Sequence, residues 1–288
     1  MSPAPVSVII PTWNRLDDLQ QTLSVIESCD PAPEEVIVHV DAGDTETAPW
    51  LQHHAPNVRV LQSSVQVGAP GGRNKLMDAA EAPYVASFDD DSFPEDTDYF
   101  ARVVRLFEAH PKVGVLDAVI THRNEDPEPE TDAFHRVADF IGCGCALRAE
   151  AWKDTNGYVD RPLASQGIEE PDLSLQLLDA GWSIAHSGEL RVFHNTDLKH
   201  HDSPAMTAAT LANRALLAYL RYPLSHWSLG ALQYMNRIRW SIRHGRRAGL
   251  LRGIRETLPL LWKHRNERDP VSVQALQTYR SLQASHRG

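Results

Sequence analysis

The chain has 288 residues, 42% of them hydrophobic and 23% charged, with a formal net charge of −10 and three cysteines. That composition suits a globular protein with one large core, or a core plus a helical appendage, and excludes a disordered chain or a disulfide framework. The charge is uneven: from Ala205 onward 14 Lys/Arg face three acids, a balance of +11 against −21 for the residues before it. The contrast argues against nucleic acid as a partner of the front part and leaves an anionic surface open for the back.

In chain order, Val6–Ile10 reads as a strand stopped by Pro11, followed by a helix over 16–28 with Leu16, Leu19, Leu23 and Ile26 on one face. A second strand over 36–40 ends at Asp41, and a short helix over 47–54 leads to a third strand, 58–61. The glycine run 67–74 opens a helix to about 82, and Tyr84–Phe88 is a fourth strand. A helix over 95–110, a strand over 113–116, a polar loop over 121–131, a strand over 140–147 and a short helix over 149–155 follow. Glu169-Glu170-Pro171-Asp172 starts a helix that Gly181 stops, and Val192–His194 ends the mixed region. From Ala205 the pattern is helical, over 205–221, 229–244, 250–263 and 271–284, with Pro259 expected to kink the third or start a new helix. Such alternation predicts a mostly parallel α/β sheet with helices on both faces. The expected division is a catalytic domain over 1–203 and a basic helical region over 204–288.

The N-terminus carries no basic segment and no stretch approaches ~18 uninterrupted apolar residues. The expectation is a cytoplasmic protein, with peripheral contact at the inner face of a membrane left open. Cys143-Gly-Cys145 reads as a pair of small core residues, and His200-His201-Asp202 as exposed loop.

Asp89-Asp90-Asp91 follows a strand, where ligands bind in open α/β sheets. Three carboxylates at a strand mouth repel one another unless a hard cation and a phosphate-bearing ligand sit among them; the plainer reading is a solvated acidic turn. Asp41 and the Gly68–Asn74 segment fall at the same sheet edge, and together these describe a crevice for a nucleotide, its diphosphate and a divalent ion.

The ordered set Val6–Arg15, Val67–Lys75, Phe88–Asp91 and Gly167–Leu173 with Gly181-Trp182 resembles the family 2 glycosyltransferases, over roughly residues 6 to 195. The resemblance implies a GT-A-type mixed, mostly parallel sheet, and inverting transfer of a sugar from a UDP, dTDP or GDP donor to a hydroxyl, with Mg²⁺ or Mn²⁺. On the donor side it implies Pro11 and Thr12 at the nucleoside, with Asn14, Arg15 and Gly68 in the same pocket. Asp41 would meet the base ring, Arg73 the phosphates or sugar, and Asp89 the ribose, with Asp90 as spacer. Asp91 and His194 would hold the metal. Glu170 stands where the family places an Asp general base; Glu169 is the competitor and Asp172 a positioning residue on the acceptor side. Trp152 is either an acceptor-side aromatic face or a core residue of a short helix.

Two other readings stay open: a catalytically silent nucleotide-sugar-binding scaffold, supported by the Glu170-for-Asp departure, and a sugar nucleotidyltransferase. The latter needs a phosphate-binding Gly-Arg/Lys signature after the first strand, where Pro11–Arg15 stands instead. The acceptor is left open between a glycan and a lipid-linked molecule. The arginine-rich tail is read as docking on the acidic front, with an anionic membrane or a homodimer interface as further uses.

Overall fold

In the computed structural model of the chain, residues 2–126, 128–159, 167–196 and 203–285 are described. His200-His201-Asp202 lie outside them. The front part runs β1 (Ala4–Thr12), α1 (Leu16–Glu27), β2 (Pro33–Val40), α2 (Thr47–His54), β3 (Val58–Gln62), α3 (Gly68–Ala79), β4 (Tyr84–Phe88), β5 (Ser92–Pro94) and α4 (Tyr99–Ala109). It continues with β6 (Val113–His122), β7 (Phe134–Arg136), β8 (Gly144–Arg148), α5 (Ala149–Lys153), α6 (Glu169–Asp179) and β9 (Ser183–His194). The helices α7 (Pro204–Arg221), α8 (Trp227–Arg243), α9 (Leu250–Lys263) and α10 (Val273–Ser285) follow.

One nine-stranded sheet organises the front, in the order β3-β2-β1-β4-β8-β6-β9-β5, with β7 beside β9. The β1, β2, β3 and β4 pairings are parallel, and β8 enters antiparallel between β4 and β6. The central strands β1, β4 and β8 are buried at nearly every position because both faces are covered. In β1, Val8 and Ile10 point to the core under α1 and α4, while Ile9 points to the core under α3 and α6. Phe100, Val103 and Phe107 of α4 are fully buried, each stabilising by about 1.5–3 kcal/mol.

Several elements differ from the sequence reading: β6 and β9 run longer than read and β7 was not read. The helix expected from Glu95 begins at Tyr99, because Ser92–Pro94 is instead a short strand paired with Val192–His194. The strand expected from Phe140 begins at Gly144, after a turn whose carbonyls accept side-chain hydrogen bonds. α9 runs through Pro259 as one helix.

The helical part docks through α7 and α10. Leu276 and Tyr279 of α10 pack on Leu175 and Leu178 of α6, and Tyr279 Oη donates to Asp139 Oδ1 at 2.7 Å. The buried Arg221 of α7 donates from Nε to Asp172 Oδ1 at 2.7 Å and from Nη2 to Asp172 Oδ2 at 3.0 Å. α8 and α9 pack on α7, and their arginines do not pair the front's acids among the described residues. No helix among the described residues is long and apolar enough to cross a membrane.

Candidate active site

The crevice is assembled at the carboxyl ends of β1, β2 and β4. α3 approaches this edge closely because of Gly72: a Cβ there would lie 2.8 Å from His39 Nδ1 and 3.2 Å from Pro11 Cβ. Asp41, just past β2, accepts from the backbone N–H groups of Val67 (3.0 Å) and Gly68 (2.8 Å), and from that of Ala42 (2.8 Å). A carboxylate thus satisfies orphan amides at the start of α3. Asn14, tolerated at φ 55° as Asn often is, donates its backbone N–H to Asp44 at 2.8 Å.

The three aspartates sit in different environments. Asp89, partly exposed, takes a very short ion pair from Arg73 Nη2. Asp90 is buried; its Oδ2 accepts from Thr12 Oγ1 at 2.9 Å and its Oδ1 faces Arg15 Nη1 at 2.9 Å. Burial pushes Asp90 up to about 7, with Arg15 offsetting only part of that. Asp91 is buried too, and Arg15 Nη2 donates to its Oδ2 at 2.7 Å. Burial alone would raise Asp91, but the proximity of His194 and Arg15 outweighs it and holds the carboxyl at about 2.

His194 reaches this cluster because β5 pairs with the end of β9, setting His194 opposite Ser92, and because Asn195 N donates to Asp91 O at 2.8 Å. Its Nε2 lies 3.1 Å from Asp91 Oδ1 and 3.9 Å from Asp89 Oδ2, and its Nδ1 lies 3.4 Å from Cys143 Sγ. Burial lowers the imidazole pKa, and the two aspartates more than restore it, leaving it above its ordinary value. Ligand atoms of Asp89, Cys143 and His194 all fall within 4.8 Å of one another. Asp91 Oδ1 is buried without completing a hydrogen bond. An orphaned carboxylate oxygen beside a second carboxylate and an imidazole is a donor set that fits a divalent cation such as Mg²⁺ or Mn²⁺.

Arg73 links this cluster to the acids of α6. Buried in the first turns of α3, it donates from Nε to Ser87 Oγ at 3.1 Å and from Nη2 toward Gly142 O at 3.4 Å. Gly142 marks where the parts meet: a Cβ there would lie 2.9 Å from Glu170 Oε1 and 3.6 Å from Arg73 Cζ. Glu169 is buried, with Ile168 N donating to its Oε2 at 3.0 Å, while Glu170 is half-buried. Burial raises both carboxyls; the charge of Glu169 pushes Glu170 further up, and Arg73 offsets part of the rise.

The structure therefore brings together Thr12, Arg15, Arg73, Asp89, Asp90, Asp91, His194 and Glu170, with Pro11, Asp41 and Gly68 shaping the wall. Two residues stand elsewhere. Trp152 is buried in the core, its ring 5.5 Å from that of Tyr158, which matches the core reading of that helix. Asp172 points to Arg221 and Gln176, so it anchors α7. Sequence reasoning missed Cys143 at His194, Gly142 beside Glu170, and Ser87 under Arg73. Asn74, which ends the Gly68–Asn74 segment, clamps both the N–H and C=O of Tyr158 with its side chain at 2.9 Å.

The fold is shared with solved glycosyltransferase structures. Over 81% of this chain and 72% of the other, it is similar to S. aureus TarS in complex with UDP-GlcNAc, at 16% identity and TM-score 0.62. It is similar over 99% of its length, and 86% of the other chain, to the mannosyltransferase PcManGT from Pyrobaculum calidifontis in complex with GDP-Man and Mn²⁺, at 15% identity and TM-score 0.59. A structure of GalNAc-T7 with UDP, GalNAc and Mn²⁺ aligns over 76% of this chain at 14% identity and TM-score 0.60, and this chain spans about half (48%) of that one. At such identities the likeness establishes the fold, which is of the GT-A type. A search of curated proteins gives no match. The family description "Glycosyl transferase family 2" matches residues 7–153, just over half of the chain. With a model matching more than half of its length, the chain belongs to glycosyl transferase family 2.

Proposed function

We propose that the chain transfers a glycosyl group from a nucleotide-diphosphate sugar to an acceptor hydroxyl by direct displacement with inversion, and that Glu170 is the general base. The observation that carries this reading is the placement of Glu170 against Gly142 and Arg73, next to Asp89, in a pocket that keeps its basicity high. The Glu170 carboxylate takes the proton of the acceptor hydroxyl as its oxygen bonds to the anomeric carbon. The bond from that carbon to the diphosphate oxygen breaks, and its electron pair leaves with the nucleoside diphosphate. Glu169, buried with its oxygen held by a backbone amide, keeps Glu170 basic.

Arg73 adds positive charge where the diphosphate or sugar would lie. Asp91, Asp89 and His194 would hold the cation, with Cys143 behind His194. A bound Mg²⁺ or Mn²⁺ supplies positive charge against the charge that builds on the departing diphosphate. The Mn²⁺ in the PcManGT and GalNAc-T7 structures supports a divalent ion, and UDP and GDP both occur among the similar structures, so the choice between UDP, dTDP and GDP is left to measurement. Asp41, whose oxygens already take three backbone amides, keeps about one lone pair for a base ring. The division into a catalytic unit over 1–203 and a helical unit over 204–288 belongs to this proposal, supported by the sheet's last strand ending at His194 and helices following from Pro204.

The test is Glu170→Gln, read as nucleoside diphosphate release. The proposal expects turnover to fall by about 10²–10⁴-fold with donor affinity unchanged, and products of inverted anomeric configuration by NMR. Turnover near wild type in Glu170→Gln, or retained configuration, contradicts it.

A further inference from the structure

The helices α7, α8 and α9 enclose an apolar cavity of about 450 Å³. Its floor includes Ala215 and Ala218 of α7, and its walls Ala231 and Met235 of α8 with Ile254 and Leu258 of α9. The mouth opens to solvent through side chains that water does not favour: Met235 is 53% and Leu258 75% exposed. The apolar stripe continues along α9, where Leu251 is 78% and Trp262 69% exposed. Leu251, Ile254, Leu258 and Trp262 recur at helical spacing on one face, as do Trp227, Ala231, Met235, Ile238 and Ile242 on α8. A contiguous apolar surface of this kind marks an interaction site.

Charge selects the occupant. Between Tyr222 and Arg268 the sequence has ten Lys/Arg against Glu256 and Glu267, and Glu256 already pairs with Arg252 at 2.6 Å. Arg239, Arg243 and Arg255 are exposed and form no ion pair among the described residues. Arg265 lies over the Trp262 ring at 4.6 Å, so a cation and an indole sit together at the end of the α9 stripe. A second copy of this face would oppose cation to cation. A bilayer with anionic headgroups offers hydrocarbon to the stripe, negative charge to the arginines and an interface to the tryptophans.

We propose that the α8–α9 face docks on an anionic lipid bilayer, with a lipid chain entering the cavity between α7, α8 and α9. Leu261 lines the cavity and also packs against the buried cluster that includes Leu216, Leu220 and Ile168, the residue before Glu169-Glu170. The docking proposal does not depend on the reading of Glu170.

The experiment is flotation of the full chain with phosphatidylcholine vesicles and with vesicles containing phosphatidylglycerol, in the absence of nucleotide, so that its failure is separate from failure of the transferase reading. The proposal expects binding to the anionic vesicles only, weakening as salt is raised. Arg239→Gln/Arg243→Gln/Arg255→Gln should bind roughly 100-fold more weakly, at about 5-fold per arginine. Leu251→Asp/Leu258→Asp, at exposed positions that leave the thermal melt unchanged, should lose binding. Lipid brominated along its chain should quench tryptophan fluorescence, and Trp227→Phe/Trp262→Phe should abolish the quenching. Equal binding to neutral and anionic vesicles, no binding, or no quenching overturns the proposal. So does a dimer in sedimentation velocity that Leu251→Asp/Leu258→Asp dissociates while vesicle binding is absent.

Discussion

The crevice and the α8–α9 face handle charge in opposite ways. In the crevice each aspartate of the Asp89–Asp91 run has a cation against it: Arg73 for Asp89, Arg15 for Asp90, and Arg15 with His194 for Asp91. Arg15 reaches in from the exposed rim, while Arg73, Asp90 and Asp91 are buried and the pairs are fixed within a few ångströms, so removal of one partner leaves a buried charge uncompensated. On α8 and α9 the arginines face water and act through a summed field that salt screens. A crevice charge therefore sets geometry, and a back-face charge sets attraction over distance. Single substitutions should be severe in the first region and mild in the second.

Among the paired charges of the crevice the largest effect is expected at Asp91, which has two partners. Asp91→Asn removes the carboxylate shared by Arg15 and His194, and turnover should drop about 10³-fold, measured as nucleoside diphosphate release with Mn²⁺. A drop below tenfold would show that the buried pairing is structural alone. Arg221→Ala tests whether a cation of the helical region behaves like a crevice charge once buried: it strands Asp172, and urea unfolding should show a loss of about 3–5 kcal/mol. The double variant Asp172→Leu/Arg221→Met should recover much of it.

The pH profile sharpens the same comparison. Burial, and then the charge of Glu169, raises the Glu170 carboxyl above the usual range. A base acts when ionised, so turnover should climb with pH through the pKa of Glu170, and that limb should vanish in Glu170→Gln. Cys143→Ala, behind His194, should weaken Mn²⁺ activation by roughly tenfold, read from the metal concentration for half-maximal turnover. The smallest effect belongs to the back face: Arg255→Gln should change unfolding stability by less than about 0.5 kcal/mol.

Much of this was legible in the residues. The run Val6–Ile10 and the run Tyr84–Phe88 have strand composition, and the acids and glycines that follow strands land together because parallel strands end on one edge. Glu170 was singled out only through the resemblance, as the residue standing where the family places an Asp. The rest depended on pairing between distant segments. Ser92–Pro94 is a strand only because Val192–His194 lies beside it, and no three-residue stretch signals that. The same pairing brings His194 to Asp91, and the turn over 140–143 brings Cys143 to His194; neither follows from spacing along the chain. Asp41 was readable as a strand-end acid, but its backbone partners at Val67 and Gly68 are a property of how α3 starts. On the back face, the mixture of arginine with Ile and Trp was visible, while the choice between docked and exposed helices was settled by α7 and α10 taking the contacts with α6.

The most direct test of the central claim is calorimetric titration of the wild-type chain and Asp91→Ala with UDP, dTDP and GDP, with Mn²⁺ and with EDTA. The account predicts that one nucleotide binds with Mn²⁺, that EDTA or Asp91→Ala abolishes the heat, and that Glu170→Gln binds like wild type. Binding that survives both EDTA and Asp91→Ala, or no binding of any of the three, would contradict it.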